Sequence, residues 1–203
     1  MPSEETHEGL VLRSIDYKDR QKIITLYTPT RGLISLIVKG INRKKSHLLT
    51  LTSPFTKGEY HFQIGKSDLY TYRDGTPLST HNNLRQNLSH LQAATTLLKA
   101  LLTSQLPGKP APDLYALTNL YLKHIPSFSN PENLTASFHL KILLHDGHLS
   151  PTHRQAPFTQ TEWETLLPLL SSRTLQPLRD LPPAPLLNQK IETFFQQTLC
   201  LKT

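Results

Sequence analysis

The sequence predicts an α+β chain, with a small β-barrel over residues 1–79 followed by an α-helical domain over residues 80–203. Three observations predict it. Five runs rich in β-forming residues lie within the first 75 positions. Near Thr80 the apolar period changes from two to about 3.6. Between the two regimes stands Asp74-Gly75-Thr76-Pro77, a turn-forming cluster.

The first run, Leu10 to Ile15, is apolar and β-branched apart from Arg13 and Ser14, and Lys22 to Tyr27 forms the second. In the third, Gly32 to Val38, Ile34, Leu36 and Val38 share one face, while Leu33, Ser35 and Ile37 share the other. Pro29-Thr30-Arg31-Gly32 joins the second and third runs as a turn. Lys39 to Ser46 then carries four cations out of the sheet. Ser46 to Ser53 reads as one helical turn or a loop. Tyr60, Phe62 and Ile64 alternate with polar residues in the fourth run, and Asp68 to Arg73 is the fifth. Five short strands at this spacing match a Greek-key barrel of the OB type, a frequent binder of single-stranded nucleic acid.

Leu84, Leu88, Leu91, Ala94, Leu98 and Leu101 trace an amphipathic helix ending before Pro107-Gly108. Asp113 to Ile125 gives a second. Asn130-Pro131-Glu132 opens a third, which Asp146-Gly147 stops. Thr161 to Glu164 suggests a capping box before a shorter helix. After the proline-rich stretch Pro177 to Pro185, Leu187 to Leu201 is the last helix.

Composition bounds the function. The net charge of +7 and pI near 9.5 favour an acidic partner such as nucleic acid. No stretch has membrane-spanning length, the first residues are acidic and polar, and Cys200 is the single cysteine, so a cytoplasmic protein is expected. Gly65-Lys66-Ser67 lacks the upstream glycine of a phosphate-binding loop, Tyr60 standing there instead. Hydrolase and metalloprotease signatures are missing, so no catalytic residue is expected. Asp16 and Asp19 read as a polar turn. His145, His148 and His153 form a histidine cluster without a fourth ligand, and no metal is expected there.

The basic set is more informative. Arg13, Arg20, Lys22, Arg31, Lys39, Arg43, Lys44 and Lys45 lie in the first three strands and their loops, with Tyr17 and Tyr27 among them. Cations that track phosphates and rings that stack bases are what single strands require. They also suit the solvated coat of a small barrel, and the residues alone leave both readings open.

The segment from Gly9 to Ser46 resembles the N-terminal domain of the RecO family of bacterial DNA-repair and recombination mediators. The likeness rests on Val11-Leu12-Arg13, Asp19-Arg20, Leu26-Tyr27-Thr28, Gly32 to Ser35, and Lys39 to Ser46. Pro54-Phe55-Thr56 and Leu69-Tyr70 extend it to about residue 75, and Phe138 to Leu144 looks like that family's central helix. The resemblance implies a non-enzymatic, cytoplasmic, nucleoid-associated protein. It would bind single- and double-stranded DNA, anneal complementary strands and help load the recombinase onto DNA coated by the single-strand-binding protein SSB. The implied partners are RecR and the acidic SSB tail. Tyr27 and the eight cations would contact DNA, while Phe138 and Lys141, three apart on one helix, would form the tail pocket. Many relatives carry a four-cysteine zinc site after the central helix. This chain has only histidines there, so no cofactor is expected. Two other classes remain: an RNA-binding barrel and a small metal-dependent hydrolase built on the histidine cluster.

Overall fold

The computed structural model describes residues 3–42 and 46–200. The β-forming runs become β1 (Glu4–Asp16), β2 (Gln21–Thr28), β3 (Gly32–Lys39), β4 (Lys57–Gln63) and β5 (Leu69–Ser79), with helix α1 (Ser46–Leu51) between β3 and β4. They close into a barrel in the order β1-β2-β3-β5-β4. β1 serves two neighbours: Glu4 to Leu10 pair with β4, and Leu10 to Asp16 pair with β2. A bulge between Val11 and Arg13 marks the change of partner. Ile34, Leu36 and Val38 fill the interior as their alternation requires, with Val11, Ile24, Leu26, Tyr60 and Phe62. The Tyr60 hydroxyl donates to the Leu51 carbonyl at 2.9 Å, tying α1 to the barrel.

β5 does not end at Asp74. It runs on to Ser79 through register irregularities against β4. Gly75 is needed there because the Glu59 carbonyl oxygen would lie 2.6 Å from any Cβ added at that position. Pro77 is tolerated because β5 pairs with β3 only from Leu69 to Thr71, leaving its far portion hydrogen-bonded to β4 alone.

Two compact units are present, one built from residues 1–82 and 105–119, the other from 83–104 and 120–203. The boundary expected between 79 and 80 therefore falls short by a few residues, and residues 105–119 go with the barrel rather than with the helices. In that segment Pro107 bridges to Gly32 and Leu33, and the Gly108 N–H donates to the Arg31 carbonyl at 3.0 Å. Helix α3 (Pro112–His124) begins in the same segment.

The second unit is helical: α2 (Leu88–Ser104), the end of α3, α4 (Glu132–His145), α5 (Gln160–Ser171), α6 (Gln176–Asp180) and α7 (Pro185–Cys200). α4 is buried on most of its circumference and packs against α2, α5, α6 and α7. Gly147 (φ +75°) closes the helix as the sequence expects. Its N-cap is Pro131 rather than the expected Asn130, whose side chain accepts from the Glu132 N–H at 3.1 Å from one residue further out. The capping box of α5 is displaced by two residues from the expected Thr161 and Glu164. Thr159 and Glu162 form it, and Lys190 pairs with Glu162 at 2.7 Å.

His139 sits within α4, 3% exposed, its ring stacked on Phe195 with centroids 4.3 Å apart. Burial depresses its pKa from 6.5 to about 4. Between those values the unfolded chain takes a proton that the folded chain refuses. The stability held above pH 6.5 therefore falls as pH drops, by up to about 3 kcal/mol near pH 4. Urea unfolding of the native chain and of His139→Gln across this window should show the native slope exceeding the variant's. Equal slopes would place the imidazole in contact with water.

Candidate nucleic-acid interface

The β1–β2 connection is a tight turn. The Tyr17 N–H donates to the Gln21 carbonyl at 2.9 Å, and Lys18 and Arg20 both adopt positive φ. The Ile41 N–H donates to the Arg20 carbonyl at 2.9 Å, fixing the exit of β3 against this turn. Pairing then sets Lys39 opposite Gln21 and Lys22 opposite both Asp16 and Val38. Arg20, Lys22 and Lys39 are thereby gathered at one end of the barrel, with Lys18 in the turn itself. Lys22 is partly neutralised by Asp16 at 2.7 Å. Arg43, Lys44 and Lys45 lie outside the described residues.

From this end the outer surface of β1, β2, β3 and β5 continues in two cross-strand rows. One holds Ile15, Ile23, Ile37 and Thr71, the other Arg13, Thr25, Ser35 and Leu69. Arg13 and Ile15 are exposed, and Ile23 and Ile37 are half-buried. This β-branched face of the barrel is edged by cations that can meet phosphates.

The structure corrects three sequence assignments. Tyr27 is 0% exposed: it donates to the Ala111 carbonyl at 3.3 Å and packs on Tyr115 with centroids 5.6 Å apart. It has no face to offer a base. Tyr17, 40% exposed with the Lys18 ammonium 5.4 Å from its ring centre, is the aromatic at this end of the barrel. The sequence signal was its setting in the polar run Asp16 to Arg20, whereas Tyr27 lies in an apolar strand.

Arg31 belongs to the opposite end, roughly 26 Å along the strand direction of β3 from Lys39. It is ion-paired with Glu5, which also accepts from His7 at 2.7 Å. The His7 hydrogen bond, then Arg31, holds the Glu5 carboxyl below its usual pKa. These residues line a cleft of about 940 Å³ that also contains Asp68 and Tyr70. With two carboxylates against one guanidinium, this cleft does not favour phosphate.

Phe138 and Lys141 make no open groove. Phe138 is fully buried against Tyr121, with centroids 5.5 Å apart. The Lys141 ammonium donates to the Ser172 and Leu170 carbonyls at 2.6 and 3.4 Å, and burial lowers its pKa. It satisfies the end of α5. His145 pairs with Asp146 at 3.0 Å. Among the described residues no three His, Cys, Asp or Glu side chains are placed to hold a metal, and no helix is long and apolar enough to cross a membrane.

The family model "Recombination protein O N terminal" matches residues 1–81. A protein named DNA repair protein RecO from Listeria monocytogenes serotype 4a (strain HCC23) is 31% identical over 136 residues, covering 67% of this chain and 53% of the relative. Its namesake from Chlamydia pneumoniae is 32% identical over 144 residues, covering 71% of this chain and 57% of the relative. That from Desulfitobacterium hafniense (strain DSM 10664 / DCB-2) is 30% identical over 141 residues, covering 70% and 51%. The chain thus spans about half the length of the curated relatives it matches. The matched residues run from before the first strand of the barrel to just past its last, so the barrel is a RecO N-terminal domain, and the similarity to RecO proteins continues into the helices.

Proposed function

We propose that this chain is a non-catalytic DNA-binding protein of repair and recombination. It holds single strands at the β1–β2 end of its barrel, anneals complementary strands and acts with RecR at SSB-coated DNA to help load the recombinase. The observation that carries the reading is the gathering of Arg20, Lys22 and Lys39 at the end of the barrel that also carries the exposed ring of Tyr17. The names of the relatives support the repair role. RecR and the SSB tail enter through the family likeness; on the geometry above, the tail site needs residues other than Phe138.

Replacing Arg20, Lys22 and Lys39 together with alanine should weaken binding to a single-stranded oligonucleotide. The log affinity–log salt slope should flatten by about 2, at roughly 0.7 per phosphate. Tyr17→Ala should cost about 1–3 kcal/mol of affinity with little change in slope. Fluorescence anisotropy across a salt series reads both. An unchanged slope in the triple variant would make these cations a solvated coat. Tighter binding of an RNA oligomer of the same sequence would favour the RNA reading.

A further inference from the structure

Facing α2, α4 and α7 within the helical unit is a cleft of about 250 Å³ whose chemistry is opposite to that of the chain as a whole. Glu132 and Glu192 line it and no lysine or arginine does, in a protein of net charge +7. Neither carboxylate has an ion-pair partner among the described residues. His139 also lines this cleft, nine-tenths buried, and neither of its ring nitrogens is hydrogen-bonded among the described residues.

A second unpaired acceptor follows from a chain of hydrogen bonds. The Asn133 amide nitrogen donates to the Leu181 and Pro182 carbonyls at 3.1 and 3.3 Å, so its oxygen must accept. Asn188 supplies that donor at 3.2 Å. Its own oxygen is consequently turned away, and it is buried with no partner among the described residues. Asn188 is part of the cleft wall. A buried polar atom without a partner carries a free-energy cost that a suitable ligand removes.

We propose that this cleft binds an organic cation rich in N–H donors, a guanidinium or ammonium group on a short alkyl stem. The lining offers acceptors to such N–H groups in the imidazole nitrogen that carries no proton and the two exposed carboxylates, with the unpaired Asn188 oxygen behind them in the wall. The buried imidazole stays neutral at physiological pH and so does not repel the cation. Phosphate and nucleic acid are disfavoured by the same carboxylates, which separates this site from the basic end of the barrel. An arginine or lysine side chain of a partner protein and a free polyamine carry the same chemistry.

Calorimetric titration of the full chain with N-acetyl-argininamide and with spermidine tests the proposal, with neutral N-acetyl-citrullinamide as control. Saturable binding of either cation is expected. It should weaken about tenfold in Glu132→Gln/Glu192→Gln, whose exposed side chains leave the fold intact. His139→Phe, which keeps a ring against Phe195, should weaken it as well. Preference for argininamide supports a protein side chain as the natural ligand, and preference for spermidine supports a polyamine. Absence of binding by both cations, equal binding of the citrulline amide, or full affinity in the double variant would overturn the proposal.

Discussion

Gly32→Ala should lower the stability of the barrel unit by about 3–4 kcal/mol, a large effect for one methyl group. Gly32 has φ +65°, where an L-residue loses roughly 1–2 kcal/mol. Its added Cβ would also stand 2.5 Å from the Lys109 carbonyl oxygen and 2.6 Å from that of Leu106. Both are backbone atoms, so the segment itself must retreat. Retreat disturbs the bonds from the Leu33 N–H to the Leu106 carbonyl (3.4 Å) and from the Gly108 N–H to the Arg31 carbonyl (3.0 Å), each worth about 1 kcal/mol. Gly108→Ala is the control. Gly108 has φ +70° but nothing within 4 Å of its added Cβ, so only the backbone cost should appear. Urea midpoints that fall equally in the two variants would show that the close approach at Gly32 contributes nothing.

Trp163→Ala should cost about 3–5 kcal/mol in the helical unit. Trp163 is 4% exposed and lies against Phe158, with centroids 6.3 Å apart. Phe158 in turn meets Phe194 edge-on at 5.3 Å, and the Lys190 ammonium lies 5.8 Å from its ring. The Phe158 carbonyl accepts from Arg154 at 2.8 Å, drawing the loop after α4 onto the same cluster. Where many relatives are expected to use zinc, we propose that this aromatic packing holds the loop instead. A chelator should then leave the melting temperature of the native protein unchanged, while Trp163→Ala lowers it by several degrees. Stoichiometric zinc lost together with stability on chelation would refute metal-free folding.

The strands were legible because period-two alternation acts locally: Tyr60 and Phe62 point inward for the same reason in sequence and in structure. The end of β5 was not. Gly75 and Pro77 have turn composition, yet the glycine answers a carbonyl on the neighbouring strand that local sequence does not reveal. Among the candidate DNA contacts, Lys22 and Lys39 could be grouped from the hairpin alone, since strand register fixes them. Arg31 could not be removed from the group by sequence, because its partner Glu5 is 26 residues away. Tyr27 failed likewise: its cover, Ala111 and Tyr115, comes from a distant segment. Lys141 reads as a surface cation until the carbonyls at the end of α5 are in view.

The division of the barrel unit into residues 1–82 and 105–119 has a consequence during synthesis. A chain growing at about 5–20 residues per second needs roughly 2–7 s to pass from residue 82 to residue 119. A β-barrel of non-local pairings closes in milliseconds to seconds. The barrel can therefore close before its own cover exists, leaving the outer side of Tyr27 open to water until Ala111 and Tyr115 are made. A polypeptide cut at residue 82 would hold that half-finished surface permanently, as an apolar patch that invites self-association.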